Sequence, residues 1–349
     1  MQYKKNIRRT ILMVVILLIL VGGFTAHTFY QRIWGTSVQL DSVDVVDFYI
    51  HSDASFDSVV LALEKSPWLK DVKAFRWVAQ KKNYPAHIRP GHYMVKDHMS
   101  NNALVNLLRS GKQQPVRVVF NNIRTLPELA GRVAQQLEAD SLAFMQTFTN
   151  KTRIRELGYT QASFPALFIP NTYELWWNTS PEQFLRRMKT EHDRFWNDQR
   201  MLKARKLGMS PHEVSTLAAI VDEETYRDDE MATIAGVYIN RLKKGIRLQA
   251  DPTVKFALGD VTMKRVWKKH LQVESPYNTY KNAGLPPGPI RIPSIAAIEA
   301  VLDYEDHGYY YFCAKDDFSG YHVFAKTLRQ HNINAQKYQR ALNKRRIWN

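Results

Sequence analysis

The sequence predicts a mixed α+β protein that follows an N-terminal membrane anchor. An apolar run lies near the N-terminus, short β-branched runs and helical patterns alternate along the rest of the chain, and no low-complexity linker interrupts them. With 349 residues, of which 45% are hydrophobic, the chain has room for an anchor and two or three domains. We therefore expect an anchor, a small α+β module and a mixed α+β C-terminal domain.

The composition is strongly basic, with a formal net charge of +16. This charge predicts an anionic partner, and nucleic acid, anionic lipid or an acidic polymer such as cell-wall glycan would each satisfy it. The single cysteine, Cys313, excludes an internal disulfide and a cysteine-based zinc site. The histidines at 307, 322 and 331 are too scattered for a ligand set, and no glycine-rich phosphate loop is present, so we expect no metal and no cofactor.

The N-terminal segment predicts the compartment. Residues 1–10 form a basic tail, residues 11–30 a transmembrane anchor centred on the apolar run Ile11 to Phe24, and three candidate interfacial aromatics follow, Phe29, Tyr30 and Trp34. A signal-peptide core has a similar length, but Phe24 stands where a cleavage site needs a small residue, which favours an uncleaved anchor. The basic residues Lys4, Lys5, Arg8 and Arg9 predict a cytoplasmic N-terminus and place the chain beyond about residue 35 outside the inner membrane, which argues against nucleic acid as a partner.

The exported part begins with two blocks of mixed pattern. Residues 37–115 predict a small α+β module, with a helix at SFDSVVLALEKS, a strand around Tyr93 and a helix closed by Gly111. A spacer and a glycan-binding module are equally good interpretations of it. Residues 116–206 predict a linking α+β region with helices beginning near Thr125 and Ser141. There we expect a turn at Pro170, Asn171 and Thr172, and aromatic side chains that belong either to the core or to a sugar-stacking platform, Tyr173, Trp176 and Trp177.

The third block, residues 207–349, holds the candidate chemistry. Ser210, Pro211 and Glu213 define the start of a helix, so its register can be counted. At about 100° per residue, of the three consecutive acids only Glu224 falls beside the apolar stripe, where desolvation favours the neutral carboxylic acid that a proton donor needs. A solvated charge run at a helix end is the alternative interpretation.

The rest of this block predicts polar side chains around a cleft. A second helix capped by Asp229 ends at Gly245, and Asp251 with Pro252 has the pattern of an N-cap and first-turn pair. Gln249 and Asp251 fall on one side of an extended lead-in, as a sugar site requires. The proline- and glycine-rich stretch from Tyr277 to Ser294 predicts a rigid loop that displays Asn278 and Tyr280, and a hairpin follows with His322 on its returning strand.

Six motifs in a fixed order carry a resemblance to a known family: LAAIVDEET, VYINRL, GIRLQADPTVKFALG, YNTY, GLPPGPI and HVF. Over nearly its whole length the chain resembles the endolytic murein transglycosylases, the YceG-like family. The resemblance implies a LysM-like membrane-proximal module and a C-terminal catalytic domain, and it makes Glu224 the single catalytic glutamate, in agreement with the helical phase. The chain departs from the family at Ala166, Leu167 and Phe168, where a Glu-Gly pair is absent.

By this resemblance the expected activity is cleavage of the β-1,4 bond between N-acetylmuramic acid and N-acetylglucosamine within glycan strands, which leaves 1,6-anhydromuramic ends and terminates nascent strands. The residues expected to bind substrate are Gln249, Asp251, Thr253, Asn278, Tyr280 and His322. The implied partners are peptidoglycan strands, the inner membrane, glycan polymerases and other cell-wall synthesis proteins. A hydrolase that uses Asp251 or Glu223 as a second carboxylate and a non-catalytic glycan-binding scaffold remain as alternatives.

Overall fold

The computed structural model describes residues 2–260, 262–263 and 265–345. Two compact units are present, one formed by residues up to 117 together with 174–179, the other by 118–173 and the chain from 180 onward. Met1 and the side chains of Lys4 and Lys5 in the expected basic tail, and residues 346–349 of the expected C-terminal domain, lie outside the described residues. The units divide the chain differently from the expected ranges, because residues 118–173 and 180–206 join the C-terminal block in one body.

The first unit begins with one continuous helix, α1 (Gln2–Trp34). Its stretch from Asn6 to Trp34 contains an 18-residue window with a mean hydropathy of 2.4, none of it buried, and α1 is the one described helix long and apolar enough to cross a membrane. At 1.5 Å per residue the whole helix measures about 50 Å, which exceeds the roughly 30 Å of a bilayer core. These properties are those of a membrane anchor or of a signal sequence.

The remainder of the first unit is a small α+β module. Strands β1 (Val45–Ile50) and β2 (Gly91–Lys96) pair antiparallel, and between them and after them run α2 (Phe56–Glu64), α3 (Val72–Lys81) and α4 (Asn101–Ser110). Each helix starts at a side-chain N-cap, which is Ser55, Asp71 and Ser100 in turn. The mixed α+β content predicted for this region is confirmed, and its likeness to a LysM module stays a prediction.

The second unit is mainly helical. One two-stranded sheet consists of β3 (Val116–Phe120) and β4 (Asn171–Leu175), and another pairs β5 (Tyr311–Ala314) antiparallel with β6 (His322–Ala325). The helices are α5 (Leu126–Ala134), α6 (Ser141–Phe148), α7 (Lys151–Glu156), α8 (Pro181–Phe195), α9 (Asp198–Leu207), α10 (Pro211–Glu224), α11 (Asp228–Lys243), α12 (Asp251–Ala257), α13 (Ile295–Leu302) and α14 (Leu328–Lys344).

The expected turn at Pro170, Asn171 and Thr172 is wrong, because β4 begins at Asn171. Tyr173 and Leu175 are buried while the residues between and before them are exposed, which is the alternation of a strand with one face against the core. The proline precedes the strand and therefore removes no hydrogen bond from its ladder.

The core of the second unit surrounds α10. Every residue of this helix from Val214 to Asp222 is buried, so it is a central helix and not the amphipathic one that the stripe predicts. Small residues, Ser215, Ala218 and Ala219, alternate with large ones, and α11, α13, α12 and α9 pack around it. Its predicted start is confirmed, since Ser210 and Glu213 form a capping box.

Gly288 lies where the loop before α13 touches the backbone of residue 162. A Cβ at Gly288 would stand 1.9 Å from the carbonyl oxygen of Ala162, so the backbone itself would have to move. We expect Gly288→Ala to lower the free energy of unfolding by about 1–3 kcal/mol, the usual cost of overpacking. Chemical denaturation of the full chain in detergent measures this change. Gly131→Ala, on α5 where a Cβ meets nothing within 4 Å, is the control and should leave stability equal or slightly higher; an equal loss in both variants would contradict the close contact.

Candidate active site

The carboxyl group of Glu224 lies at the C-terminal end of α10 and opens into a groove of about 380 Å³. The buried helix brings the side chain to the boundary between the core and the groove, where it stays partly exposed. The groove is lined by Glu224, Tyr238, Arg241, Leu248, Gln249, Asp251, Tyr280, Tyr311, Phe312, Cys313, Ala314, His322, Leu328 and His331. Four of the six expected substrate-binding residues therefore meet in one groove with the expected acid, since Gln249, Asp251, Tyr280 and His322 all line it.

Burial of Glu224 raises its pKa to about 7, against an ordinary value of 4.5. The Tyr238 hydroxyl donates to Glu224 Oε1 at 2.6 Å, and this hydrogen bond partly offsets the rise, while the nearby charge of Asp251 adds to it. Burial also holds the pKa of Tyr238 well above its ordinary value, so the phenol remains a donor. Because Oε1 already accepts a hydrogen bond, Oε2 is the oxygen left to carry a proton toward the groove.

The other two acids of the DEE run are tied into the structure. Glu223 receives Arg124 Nε and Nη2 at 3.0 and 3.1 Å and Arg291 Nη1 at 2.8 Å. Asp222 accepts from the backbone N–H and hydroxyl of Ser294, at 2.9 and 3.1 Å, at the start of α13. Neither carboxylate lines the groove. The three neighbours in sequence therefore differ because each meets different partners.

Asp251 and Tyr280 form a hydrogen-bonded pair on the groove wall, with Tyr280 Oη donating to Asp251 Oδ1 at 2.6 Å. Asp251 is exposed and is the first residue of α12, so the expectation that it is the N-cap is wrong, since Ala250 holds that position. Its side chain accepts the tyrosine hydroxyl in place of a backbone N–H of the helix. This leaves a carboxylate oxygen of Asp251 available to the groove.

Gln249 presents its amide from an uncommon backbone conformation. Its φ of 51° lies in the left-handed region, which is unusual for a residue other than glycine and often marks a functional position. Arg241 Nη2 donates to Gln249 Oε1 at 2.5 Å. Since arginine can only donate, the amide orientation is defined, and Nε2 of Gln249 is the group offered to a ligand.

Thr253 and Asn278 do not line the groove, which corrects the expectation that both touch substrate. Both are fully buried. Thr253 Oγ1 donates to the carbonyl of Ala250 at 2.7 Å, and Asn278 Nδ2 donates to the carbonyls of Leu271 and Val273 at 2.9 and 2.8 Å. These bonds hold the segments that carry Gln249, Asp251 and Tyr280. The expected loops thus reach the groove, but these two polar residues stay inside.

His322 lines the groove and is held from behind by a buried carboxylate. His322 Nδ1 lies 2.7 Å from Glu230 Oε2, and its backbone N–H donates to Glu230 Oε1 at 2.7 Å. Glu230 is only 6% exposed and comes from the first turn of α11. This glutamate is not among the site residues expected from the sequence, and neither are Tyr238 and Arg241 on the same helix. The available signal was a tyrosine and an arginine one turn apart in the mainly apolar stretch IAGVYINRL of α11.

The aromatic residues expected as a sugar platform have separate locations. Tyr173 belongs to the core, where its hydroxyl donates to the carbonyl of Ile169 and its ring stacks on Phe120. Trp176 is exposed, and Trp177 packs against Tyr49 within the first unit. Across the part of the chain that the structure describes, no group of three or more potential metal ligands is found.

Comparisons with known proteins identify the family. The model of the YceG-like family matches residues 48–337, which include every groove residue described above. The chain belongs to the YceG-like family. The resemblance stated from the six motifs is thereby confirmed.

Relatives in this YceG-like family have names that describe an activity. A protein of Bacillus subtilis (strain 168) named endolytic murein transglycosylase is 29% identical over 331 residues, which cover 88% of this chain and 89% of that protein. One of the same name from Streptococcus pneumoniae (strain D39) is 25% identical over 93% of this chain, and the alignment spans 64% of its length. The crystal structure of a putative YceG-like protein from Listeria monocytogenes has a TM-score of 0.55 and 28% identity, covering 84% of this chain and 99% of that one.

The raised pKa of Glu224 predicts a pH-dependent effect of Glu224→Gln on the stability of this YceG-like chain. The folded-state pKa exceeds the unfolded one, so the carboxyl contributes stability that is complete below about pH 4.5 and is lost as pH rises through about 7. Glutamine does not titrate. Relative to the native chain, the variant should gain up to about 3 kcal/mol between pH 5 and pH 9, at about 1.4 kcal/mol per pKa unit. Denaturant unfolding at both pH values measures the difference, and an unchanged difference would contradict burial of the acid.

Proposed function

We propose that this chain cleaves the β-1,4 bond between N-acetylmuramic acid and N-acetylglucosamine inside peptidoglycan strands and leaves a 1,6-anhydromuramic end. Family membership and the relatives named endolytic murein transglycosylase make the chain a lytic transglycosylase by homology. The observation that carries the finer proposal is one carboxyl with a pKa of about 7 on the wall of a polar groove. Such a group is half protonated near neutral pH and can both give and take a proton.

In this mechanism Glu224 acts twice. Its Oε2 proton goes to the glycosidic oxygen as the bond to C1 of the muramoyl residue breaks. The ionised carboxylate then takes the proton of the muramoyl C6 hydroxyl, whose oxygen attacks C1 and closes the anhydro ring. No water is consumed, and the carboxyl ends as it began. The Tyr238 hydroxyl stabilises the transient carboxylate through Oε1.

The remaining groove side chains position the sugars. Gln249 Nε2 and the free oxygen of Asp251 suit an N-acetyl group, whose carbonyl accepts and whose N–H donates a hydrogen bond. The acetamido oxygen of the substrate can stabilise the developing positive charge at C1. His322, supported by Glu230, and Tyr280 complete the polar wall. Thr253 and Asn278 contribute by holding these segments in place.

A hydrolase with two carboxylates is the second candidate, and the position of Asp251 is what favours it. Asp251 shares the groove with Glu224 and raises its pKa, as a second catalytic carboxylate would. Glu223 does not suit that role, because two arginines neutralise it outside the groove lining. The Tyr280 hydroxyl donates a hydrogen bond to Asp251, and this contact suits a residue that binds substrate rather than a second catalytic carboxylate. It therefore favours the lytic reaction.

The proposal extends to location. With α1 as an uncleaved single-pass anchor, the basic N-terminus lies in the cytoplasm and the chain after α1 lies in the periplasm beside newly made glycan. An enzyme so tethered would cut strands near their site of synthesis and thereby terminate their elongation, next to glycan polymerases and other cell-wall synthesis proteins. The module after α1 serves as a spacer or as a glycan-binding element.

Glu224→Gln should lower the rate of anhydro-product formation by about 10²–10⁴-fold, because glutamine can neither donate nor accept the transferred proton. Strand binding should persist, since the side chain keeps its size. Digestion of purified strands by the full chain in detergent, with chromatography of the reduced products and a co-sedimentation assay, measures both. Substantial lysis by a folded variant would remove Glu224 from the chemistry, and normal binding without any lysis by the native chain would favour the scaffold interpretation.

The pH profile of kcat/KM should fall as pH rises above about 7, because the acid must be protonated at the start of the reaction. Tyr238→Phe removes a hydrogen bond that stabilises the carboxylate, so the pKa of Glu224 should rise and the alkaline limb should move up by about one pH unit. Tyr304→Phe removes a hydroxyl that is bonded to Lys243 outside the groove and is the control. A limb that stays in place in Tyr238→Phe contradicts the assignment.

Mass spectrometry of the released ends separates the two enzyme candidates. The lytic reaction predicts muramoyl ends lighter by one water than hydrolytic ends, with no uptake of ¹⁸O from labelled water. Asp251→Asn should then keep the anhydro ends and change mainly KM, since the residue would act in binding. Reducing, ¹⁸O-labelled ends from the native chain would establish the hydrolase, in which case Asp251→Asn should abolish turnover.

A further inference from the structure

Arg241 is a buried cation on the groove wall without an anionic partner. Its side chain is on the same helix as Tyr238, one turn further along, and the residue is 6% exposed. The guanidinium donates to the backbone carbonyls of Arg247 and Tyr310, both at 2.9 Å, and to Gln249 Oε1. Among the described residues no carboxylate lies within ion-pair distance of it, so all its acceptors are neutral.

A second buried arginine of this unit, Arg291, does have carboxylate partners. Arg291, also 6% exposed, forms ion pairs with Asp222 at 3.3 Å and Glu223 at 2.8 Å. A buried charge without a counterion is strongly destabilising, and proteins normally avoid it. Arg241 nevertheless lies buried in the wall of the groove without a carboxylate partner. This indicates that its counterion is part of the ligand.

The hydrogen-bonding capacity of Arg241 fits this interpretation. A guanidinium has five N–H groups, and three are used, which leaves one on Nη1 and one on Nη2. A carboxylate is the acceptor that two such groups hold bidentately. His331 also lines the groove, and its buried Nδ1 has no hydrogen-bond partner. The groove wall therefore has a further polar atom that a ligand can pair with.

We propose that Arg241, with His331 beside it in the groove, binds a carboxylate on the muramoyl side of the scissile bond. The inference rests on the proposed function, because N-acetylmuramic acid differs from N-acetylglucosamine by the lactyl arm on O3. That arm carries a carboxylate when it is unsubstituted and carries the carboxylates of the stem peptide otherwise. Recognition of the acid would decide which sugar enters the subsite next to Glu224, and hence which of the two alternating β-1,4 bonds is cut.

The test compares charged and neutral forms of one strand with the full chain in detergent. Strands freed of stem peptides by an amidase present lactyl carboxylates, and coupling to methylamine converts these to neutral amides. Intact strands, with and without the same coupling of their peptide carboxylates, form the second pair. We expect kcat/KM of the native chain to fall at least tenfold on amidation in the pair that carries the recognised acid.

Arg241→Gln should remove the difference in kcat/KM between the charged and the neutral member of that pair, on top of any loss common to both members that follows from its lost hydrogen bond to Gln249. This loss of discrimination is a result that a purely structural arginine would not produce, because a misplaced loop would slow both substrates equally. Arg241→Lys keeps the charge without the fork and should retain part of the discrimination. Arg247→Gln, an exposed arginine outside the groove lining, controls for the change in net charge and should discriminate like the native chain.

The results of this comparison distinguish a lactyl carboxylate, a stem-peptide carboxylate and no recognised carboxylate. A fall confined to the peptide-free pair assigns the lactyl carboxylate, and a fall confined to the intact pair assigns a stem-peptide carboxylate. Equal rates of the native chain on charged and neutral strands overturn the proposal, and that measurement needs no variant to fold. Equal loss by a folded Arg241→Gln on both members also overturns it. Failure of the native chain to form anhydro ends on any strand would instead overturn the proposed function.

Discussion

The hydrogen bond between Tyr238 and Glu224 joins the end of α10 to the middle of α11, and the candidate site is organised around it. Burial of α10 on all sides forces its last carboxyl to the edge of the core, where the charged form is poorly solvated. Without the tyrosine the ionised acid would lose a donor that it needs. Burial raises the pKa of Glu224 and the hydrogen bond from the Tyr238 phenol lowers it. The balance of the two places this pKa at about 7.

The same segment illustrates how neighbours in space determine what a residue does. Asp222, Glu223 and Glu224 are chemically near-identical and consecutive. Two of them meet arginines or the first turn of α13, so they fasten α10 to the rest of the unit. The third meets a phenol and an open groove. Asp222 and Glu223 are thus held in structural contacts, and Glu224 is the acid that can exchange a proton with the groove.

The sequence predicted local features better than it predicted partners. The capping box at Ser210, the closing glycine at 245 and the hairpin that carries His322 all depend on residues a few positions apart, so they can be counted along the chain. The phase of Glu224 was counted in the same way, but the apolar stripe that served as its reference is absent, because α10 is buried on all sides and Asp222 is buried too. Tyr238, Arg241 and Glu230 were missed because their roles depend on contacts between segments up to 92 residues apart. Burial of Asn278 likewise depends on a loop closing over it.

A last consequence concerns α1, which continues beyond the apolar stretch directly into the module. Asn101 Nδ2 donates to the carbonyl of Arg32 at 2.9 Å, and the ring of Phe29 lies 5.8 Å from that of Trp77, so the final turns of α1 pack on α3 and α4. No flexible tether separates the two. If the helix stands in a bilayer, the module cannot swivel freely above it, and its height over the lipid surface is set by the length of a single rigid rod.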